Sequence, residues 1–425
     1  MDRVSVIGLG KLGLPMAAAI GATGFTVIGV DNNPKIVQAL NDGDVSIQEK
    51  DLNEYLAIAL GAHRLTFTTD TTKAVRETDA TFIIVPTPSL DDGYFSNEYI
   101  FEALTDVGNA IAEKDSYHLV VVTSTVMPGT MRQAERILEQ VSSKKVGNDF
   151  GLCYSPEFIA LGSVIGDFLD PDFVLVGQSD CEAGDKLSNF YQSLCFRRTD
   201  TQIARMSYEN AELAKLALNC FVVTKITFAN LLARLCEGVL GGDVDAVTNA
   251  IGLDSRIGNK YLTGGAPFGG PCFPRDSRAM SALAKTLGVS CALPIVVDES
   301  NYQDVLRLYD LVMTSASPEA VIAVLGLAYK SGTHITEESA GLKLVELLES
   351  AGRTVVVHDP MIPDTDAAQN CIDVAQTVVL MLPYREFLRL EYKAGQVIID
   401  CWRILKLFTP VGIKYIGFGL GEGQE

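Results

Sequence analysis

The segment 268–276, FGGPCFPRD, sets one thiol among glycines and prolines and follows it with a cation and an anion, Arg275 and Asp276. A cysteine held in this way could act as a covalent nucleophile. Its local sequence leaves a second reading equally open, a packed structural thiol in a glycine-rich loop. Near the N-terminus, VSVIGLGKLGLPMA carries G-x-G-x-x-G as Gly8, Gly10 and Gly13, and Asp31 ends the next apolar run, FTVIGVD. A glycine loop that closes a strand, opens a helix and is followed by an acid is the fingerprint of a dinucleotide site. The first glycine allows the tight turn, the second lets the backbone approach a pyrophosphate, and the third lets helix and strand pack. Asp31 would bind the adenosine ribose hydroxyls and repel a 2′-phosphate, which selects NAD over NADP. A thiolate beside NAD suits aldehyde oxidation: a thiohemiacetal forms, hydride leaves to NAD, and water hydrolyses the thioester.

These groups need a frame. Residues 4–8, 26–30, 81–85, 119–123 and 174–177 read as short buried strands with helical patterns between them, a mostly parallel, doubly wound sheet. Residues 208–240 contain no turn signal, and apolar residues recur at helical spacing on more than one side. One long helix or two abutting ones, buried on several faces, is expected there. From about Pro318, AVIAVLGLAYK, RTVVVHDP, TVVLMLP and QVIIDC bring the strand–helix alternation back. The expected fold is therefore α/β, with two Rossmann-like doubly wound domains joined by a long central helix and a helical domain. The boundaries fall at 1–204, 205–300 and 301–425, and the two α/β halves read as distant structural echoes of each other.

Bulk properties narrow the function. The chain has 425 residues, of which 48% are hydrophobic and 20% charged, as in ordinary globular proteins of two or three domains. A net charge of −19 argues against nucleic acid or an anionic membrane as partner. No apolar run is expected to span a bilayer and no signal peptide is indicated, so a cytoplasmic protein is expected. Nine cysteines, at 153, 181, 195, 220, 236, 272, 291, 371 and 401, form no C-x-x-C and stand at no metal-ligand spacing with histidine. They read as free thiols, and no metal is expected. The histidines at 63, 118, 334 and 358 match no relay motif.

GGPCFPRD resembles the catalytic loop of the UDP-glucose/GDP-mannose dehydrogenase family, usually G-G-x-C-[FL]-x-[KR]-D. VIGLGKLGLP, VPTP (85–88), STVMPGT (124–130), SPEF (155–158), ELAKLALN (212–219) and GLDSRIGNKYL (252–262) follow the family's order over nearly the whole chain. The resemblance implies a four-electron oxidation of a nucleotide-sugar C6 alcohol to the carboxylate through a bound aldehyde, with two NAD reduced. UDP-glucose is the default substrate, and polysaccharide biosynthesis the expected setting. Cys272 matches the nucleophile and Lys215 the lysine that assists deprotonation and steadies oxyanions. Asp276 matches the aspartate that positions water and that lysine, and Asn219 the asparagine beside C6. Glu157 matches the glutamate of thioester hydrolysis, and Thr125 a threonine that holds water or cofactor. Lys11, Leu12, Pro86, Thr87 and Arg275 fall in segments that meet the cofactor. Arg256, Lys260, Tyr261, Gly269, Lys330 and Arg403 would meet the substrate, Arg256 from a neighbouring subunit, because relatives form homodimers through the helical domain.

Lys215 and Asn219 are four residues apart, on one face of the long helix. Each candidate also has a structural reading: Lys215 as a solvated helix lysine, Glu157 as a strand-end cap, Asn219 as a buried amide, and Asp276 as the cap of a helix starting near Ser277. The chain departs from the family pattern at Leu161, where many relatives carry Glu, and at Asp172 and Phe173. Ile335 and Glu337 replace an Asp and an Arg, and Thr263 a lysine of some relatives. Another nucleotide hexose (a UDP-N-acetylhexosamine, GDP-mannose or dTDP-glucose), a one-step dehydrogenase of β-hydroxyacid type and a non-catalytic NAD-binding module are the alternatives.

Overall fold

The computed structural model describes residues 1–195 and 201–422, and the chain divides into two compact units, Met1–Leu216 and Ala217–Glu425. In the first, the strands are β1 (Arg3–Ile7), β2 (Thr26–Val30), β3 (Leu65–Thr68), β4 (Ala80–Ile83), β5 (His118–Val122), β6 (Phe150–Tyr154), β7 (Phe173–Gln178) and β8 (Gln202–Met206). Among the described residues they lie in the order β3-β2-β1-β4-β5-β6-β7-β8, parallel except where β6 meets β7. The first six strands follow the 3-2-1-4-5-6 order of the dinucleotide-binding fold. Apolar clusters cover both faces: Leu14, Ile20, Phe82 and Phe190 on one, Leu104, Val107, Met131 and Leu138 on the other. That double cover is why a central strand such as His118–Val122 is buried at every position.

In the second unit β9 (Ile322–Leu325), β10 (Val355–His358), β11 (Thr377–Leu380), β12 (Val397–Asp400) and β13 (Lys414–Gly417) form a parallel sheet in the order β10-β9-β11-β12-β13. Helices Val244–Gly252, Phe273–Thr286 and Leu293–Ser315 precede it. β3, β6, β8 and β13 were not among the expected strands. β3 and β13 have only four residues each, and β6, FGLCY, carries a glycine and no alternation.

The long apolar segment is one uninterrupted helix, Tyr208–Glu237. By length and composition it could cross a membrane, against the expectation that no apolar run would reach that length. In this protein Tyr208, Ala211, Leu216, Val223, Ala229 and Ala233 are buried within their units, while Phe221, Phe228, Leu231 and Leu235 are exposed.

Candidate active site

In the first unit the three glycines fill three different needs. Gly8 has φ +95°, and a Cβ there would stand 2.2 Å from Ile84 O. A Cβ on Gly13 would stand 1.8 Å from Gly8 O, whereas one on Gly10 would meet nothing within 4 Å. The backbone at Gly10 is therefore bare, as a pyrophosphate cradle requires, and no described side chain caps helix Gly13–Ala22 behind it. Asp31 Oδ2 accepts from Leu9 N at 2.9 Å and Oδ1 from Asn33 N at 2.9 Å, so the acid is held against the loop yet stays half-buried. Lys11 is exposed and Leu12 half-buried beside it. Ser124, one residue before the half-buried Thr125, donates from Oγ to Val85 O (2.7 Å) and accepts from Val85 N (2.9 Å). It thereby ties the Thr125 loop to the segment carrying Pro86, exposed, and Thr87, buried.

Glu157 and Lys215 meet in the same unit. Lys215, buried, donates from Nζ to the main-chain oxygen of Glu157 at 2.6 Å and lies 4.5 Å from the centre of the Phe158 ring. It is not a solvated helix lysine. Tyr191 donates to Glu157 Oε1 at 2.9 Å. Burial pushes the Glu157 carboxyl up to about 7, against the lowering effects of the Tyr191 bond and the Lys215 charge. A carboxyl near 7 can take a proton from water at neutral pH.

In the second unit Cys272 is exposed at the N-cap of helix Phe273–Thr286. The helix starts earlier than Ser277, so Asp276 lies inside its first turn and does not cap it. The fully buried Asp276 carboxylate accepts from Asn219 Nδ2 at 2.6 Å and from Arg275 Nε at 3.1 Å. The loop before Cys272 is held by buried side-chain amides and by close packing of its glycines. Asn301 clamps Phe268 through both its main-chain groups (2.8 and 2.9 Å), and Asn230 accepts from Gly265 N at 2.9 Å. A Cβ on Gly269 would lie 2.3 Å from Glu338 O, and one on Gly270, at φ +91°, 2.5 Å from the Tyr329 ring.

The expected cations differ in setting. Arg256 is exposed and paired with Asp254 at 2.6 Å. The Lys260 main-chain oxygen accepts from Lys225 Nζ at 2.5 Å, and Lys225 also reaches the Ile257 and Gly258 carbonyls. Tyr261, at φ +60°, stands edge-on to Phe273, the residue after Cys272, at 6.3 Å. Lys330 is half-buried, 6.0 Å from the Tyr329 ring centre. Arg403 is buried, its guanidinium bonded to Asp245, Gly264 O and Phe418 O, each at 2.8 Å. It ties the end of β12 to the loop that leads towards Cys272.

Sequence reasoning passed over Ser124, Tyr191, Asn230, Asn301 and Glu212. Glu212, fully buried, accepts from Gly129 N and Met131 N, both at 2.7 Å, and so pins the start of helix Thr130–Ser142 to the helix of Lys215. Buried polar residues inside apolar helical runs, such as Asn230 in TFANLLARL, were the available signal.

Glycine cradle, acid and doubly wound sheet define a dinucleotide-binding protein. The NAD binding, central and UDP binding domains of the UDP-glucose/GDP-mannose dehydrogenase family match residues 2–195, 209–303 and 323–407. A UDP-glucose 6-dehydrogenase of Haloferax volcanii is 36% identical over 95% of this chain and 97% of its own length. A GDP-mannose 6-dehydrogenase of Pseudomonas aeruginosa is 34% identical over 84% of this chain and 81% of its own. The structure of a UDP-glucose dehydrogenase from Pyrobaculum islandicum superposes with a TM-score of 0.87 at 33% identity, covering 99% of this chain and 98% of that one. The chain belongs to the UDP-glucose/GDP-mannose dehydrogenase family, and its cofactor is NAD. The bare backbone at Gly10, the uncapped helix behind it and the half-exposed Asp31 fit that cofactor.

Proposed function

We propose that this protein oxidises the C6 alcohol of a nucleotide sugar to the carboxylate through an aldehyde and a thioester on Cys272, UDP-glucose being the first substrate to test. The observation that carries the reading is the exposed thiol at a helix N-terminus, on a loop clamped by Asn301 and beside the Asn219–Asp276 pair. The partial positive charge of a helix N-terminus favours an anion at that position. Bound NAD supplies the hydride acceptor for both oxidations. Lys215 assists removal of the C6 hydroxyl proton and steadies the oxyanion, with Asn219 one helical turn away beside C6. Asp276 holds Asn219 in place, and Thr125 orders water or cofactor. In the last step a water oxygen bonds to the thioester carbon and its proton passes to Glu157. The C–S bond breaks, and Sγ leaves with the electron pair.

The Haloferax volcanii relative supports UDP-glucose, and the Pseudomonas aeruginosa relative keeps GDP-mannose as the second reading. The reading assigns NAD to 1–204, subunit pairing to 205–300 and nucleotide-sugar binding to 301–425, with Lys260, Tyr261, Gly269 and Lys330 on the substrate and Arg403 shaping its loop. It includes a homodimer, supported by the exposed Phe221, Phe228, Leu231 and Leu235, with Arg256 offered to the neighbouring site. Nine cysteines, none in a disulfide among the described residues, support a reducing, cytoplasmic setting.

Cys272→Ser tests the chemistry. The variant should bind NAD and UDP-glucose like the wild type and fail to make acid, because a hydroxyl is a poorer nucleophile than a thiol. The wild type should yield two NADH per uronate with no aldehyde released. Uronate from Cys272→Ser at near wild-type rate would mean that the thiol is structural.

A further inference from the structure

Tyr191 stands on helix Cys181–Leu194 with 1% of its surface exposed. Its ring packs edge-on against Phe168 and Phe190, with centres 6.3 and 5.5 Å away. The hydroxyl is 2.9 Å from Glu157 Oε1 and 3.2 Å from Ser155 Oγ, and Ser155 Oγ is also 2.9 Å from Leu175 O. An ionised carboxylate can only accept, so the phenolic proton points to Glu157 and the phenol oxygen faces Ser155. Ser155 and Glu157 lie two residues apart in the segment that follows β6, and the tyrosine spans them from a different element. We propose that Tyr191 is a positioning residue for thioester hydrolysis, holding Glu157 Oε1 so that Oε2 is the oxygen that takes the proton from water. The inference rests on the reading of Glu157 as the hydrolytic base.

Among the described residues, Tyr191, Lys215 and Cys195 interact with Glu157. Tyr191 donates to its carboxyl. Lys215, from the long helix, donates to its main-chain oxygen and acts on the carboxyl through charge. Cys195 follows the Tyr191 helix, and burial and then the Glu157 charge push its thiol up to about 12, so it stays neutral. A phenol that donates to a carboxylate stabilises the ionised form against burial. Tyr191→Phe removes that bond and leaves the ring packing in place.

The test is the pH dependence of uronate formation, with acyl-enzyme on Cys272 followed by mass spectrometry. In the wild type the rate should rise with pH through about 7, as Glu157 ionises. In Tyr191→Phe that limb should move up by about one pH unit, slowing hydrolysis about fivefold to tenfold at pH 6.5 and letting acyl-enzyme accumulate. KM for sugar and for NAD should stay within about twofold, since the bond acts after both have bound. Glu157→Gln should lose the limb altogether. If Glu157→Gln loses it while Tyr191→Phe overlays the wild type, the tyrosine is structural and the inference fails alone. If Glu157→Gln keeps the limb, Glu157 is not the base and both readings fall. Should Tyr191→Phe not fold, Ser155→Ala, which removes the hydroxyl facing the phenol oxygen, must shift the limb in the same direction, and an unmoved limb overturns the inference.

Discussion

At the end of β1 the main chain turns on Gly8, and at the end of β9 it turns on Gly326, with φ of +95° and +104°. Gly8 N donates to Val30 O and Gly326 N to His358 O, each at 2.8 Å. Gly13 packs its Cα face against Gly8 O, and Gly341 does the same against Gly326 O, where a Cβ would stand 2.4 Å away. An acid follows the neighbouring strand in both: Asp31 takes Leu9 N, and Asp359 takes Leu327 N and Ala328 N at 2.7 and 2.9 Å. One frame has been built twice.

The differences decide what each copy can hold. Positions 8 and 13 are five apart, positions 326 and 341 fifteen apart. The bare Gly10 has its counterpart in Ala328, and the half-buried Asp31 in an Asp359 that is 1% exposed. Asp359 also accepts from Met361 N and from the Tyr384 hydroxyl, so it is a clamp with nothing left for a ribose. The inserted residues turn to the glycines before the thiol: Glu337 O accepts from Gly270 N at 2.9 Å, and Tyr329 covers Gly270. The loop that has the form of a dinucleotide cradle in the first unit supports the cysteine loop in the second.

The largest effect should come where the two copies agree. Gly13→Ala and Gly341→Ala each drive a Cβ into a carbonyl oxygen that cannot move without the strand. Each should destabilise its unit by more than about 3 kcal/mol, read as loss of its transition in thermal unfolding. A wild-type melt for either variant breaks the equivalence of the two loops.

The acids should separate the copies. Asp359→Ala leaves buried main-chain amides unpaired and should cost about 2–4 kcal/mol in urea unfolding. Asp31→Ala acts at a half-exposed site and should cost about 1 kcal/mol or less, while narrowing the preference for NAD over NADP in relative kcat/KM. Equal losses of stability would mean that Asp31, like Asp359, is mainly a clamp.

The same contrast explains what could be read from sequence. Gly8, Gly10, Gly13 and Asp31 were legible because the cradle is local, and its spacing is set by one turn and one helix. Its echo at Gly326, Gly341 and Asp359 was not, because ten further residues hide the spacing, although the return of strand–helix alternation was plain. Cys272, Asn219 and Asp276 came from a run of motifs. The reason for the loop's rigidity did not, since Asn301 lies 33 residues from Phe268 in sequence and only folding joins them. Tyr191 carries no local pattern, because one hydroxyl in an amphipathic helix looks like any other core aromatic. Arg403 reads as a substrate cation from its charge and its family motif, and the acceptors that ring it were not legible, because they come from three other parts of the chain.

The smallest change in stability should fall on Gly10, where the copies differ most in purpose. A Cβ there meets no atom within 4 Å, and Gly10 is not among the residues at positive φ. Gly10→Ala should therefore leave unfolding within about 0.5 kcal/mol of the wild type. The second glycine of the fingerprint is where the backbone must lie bare for a pyrophosphate to approach, so an added methyl should hold the phosphate away from the amides at the start of helix Gly13–Ala22. NAD affinity, measured by calorimetry, should fall about tenfold, equivalent to about 1.4 kcal/mol, with nucleotide-sugar affinity unchanged. Ala328, which carries that methyl naturally, can be reversed: Ala328→Gly should give the second unit no affinity for NAD, because Asp359 stays committed to its amides and the inserted residues still fill the loop. If Gly10→Ala binds NAD as tightly as the wild type, the bare glycine is not what distinguishes the cradle from its echo, and the exposure of Asp31 alone must carry the difference.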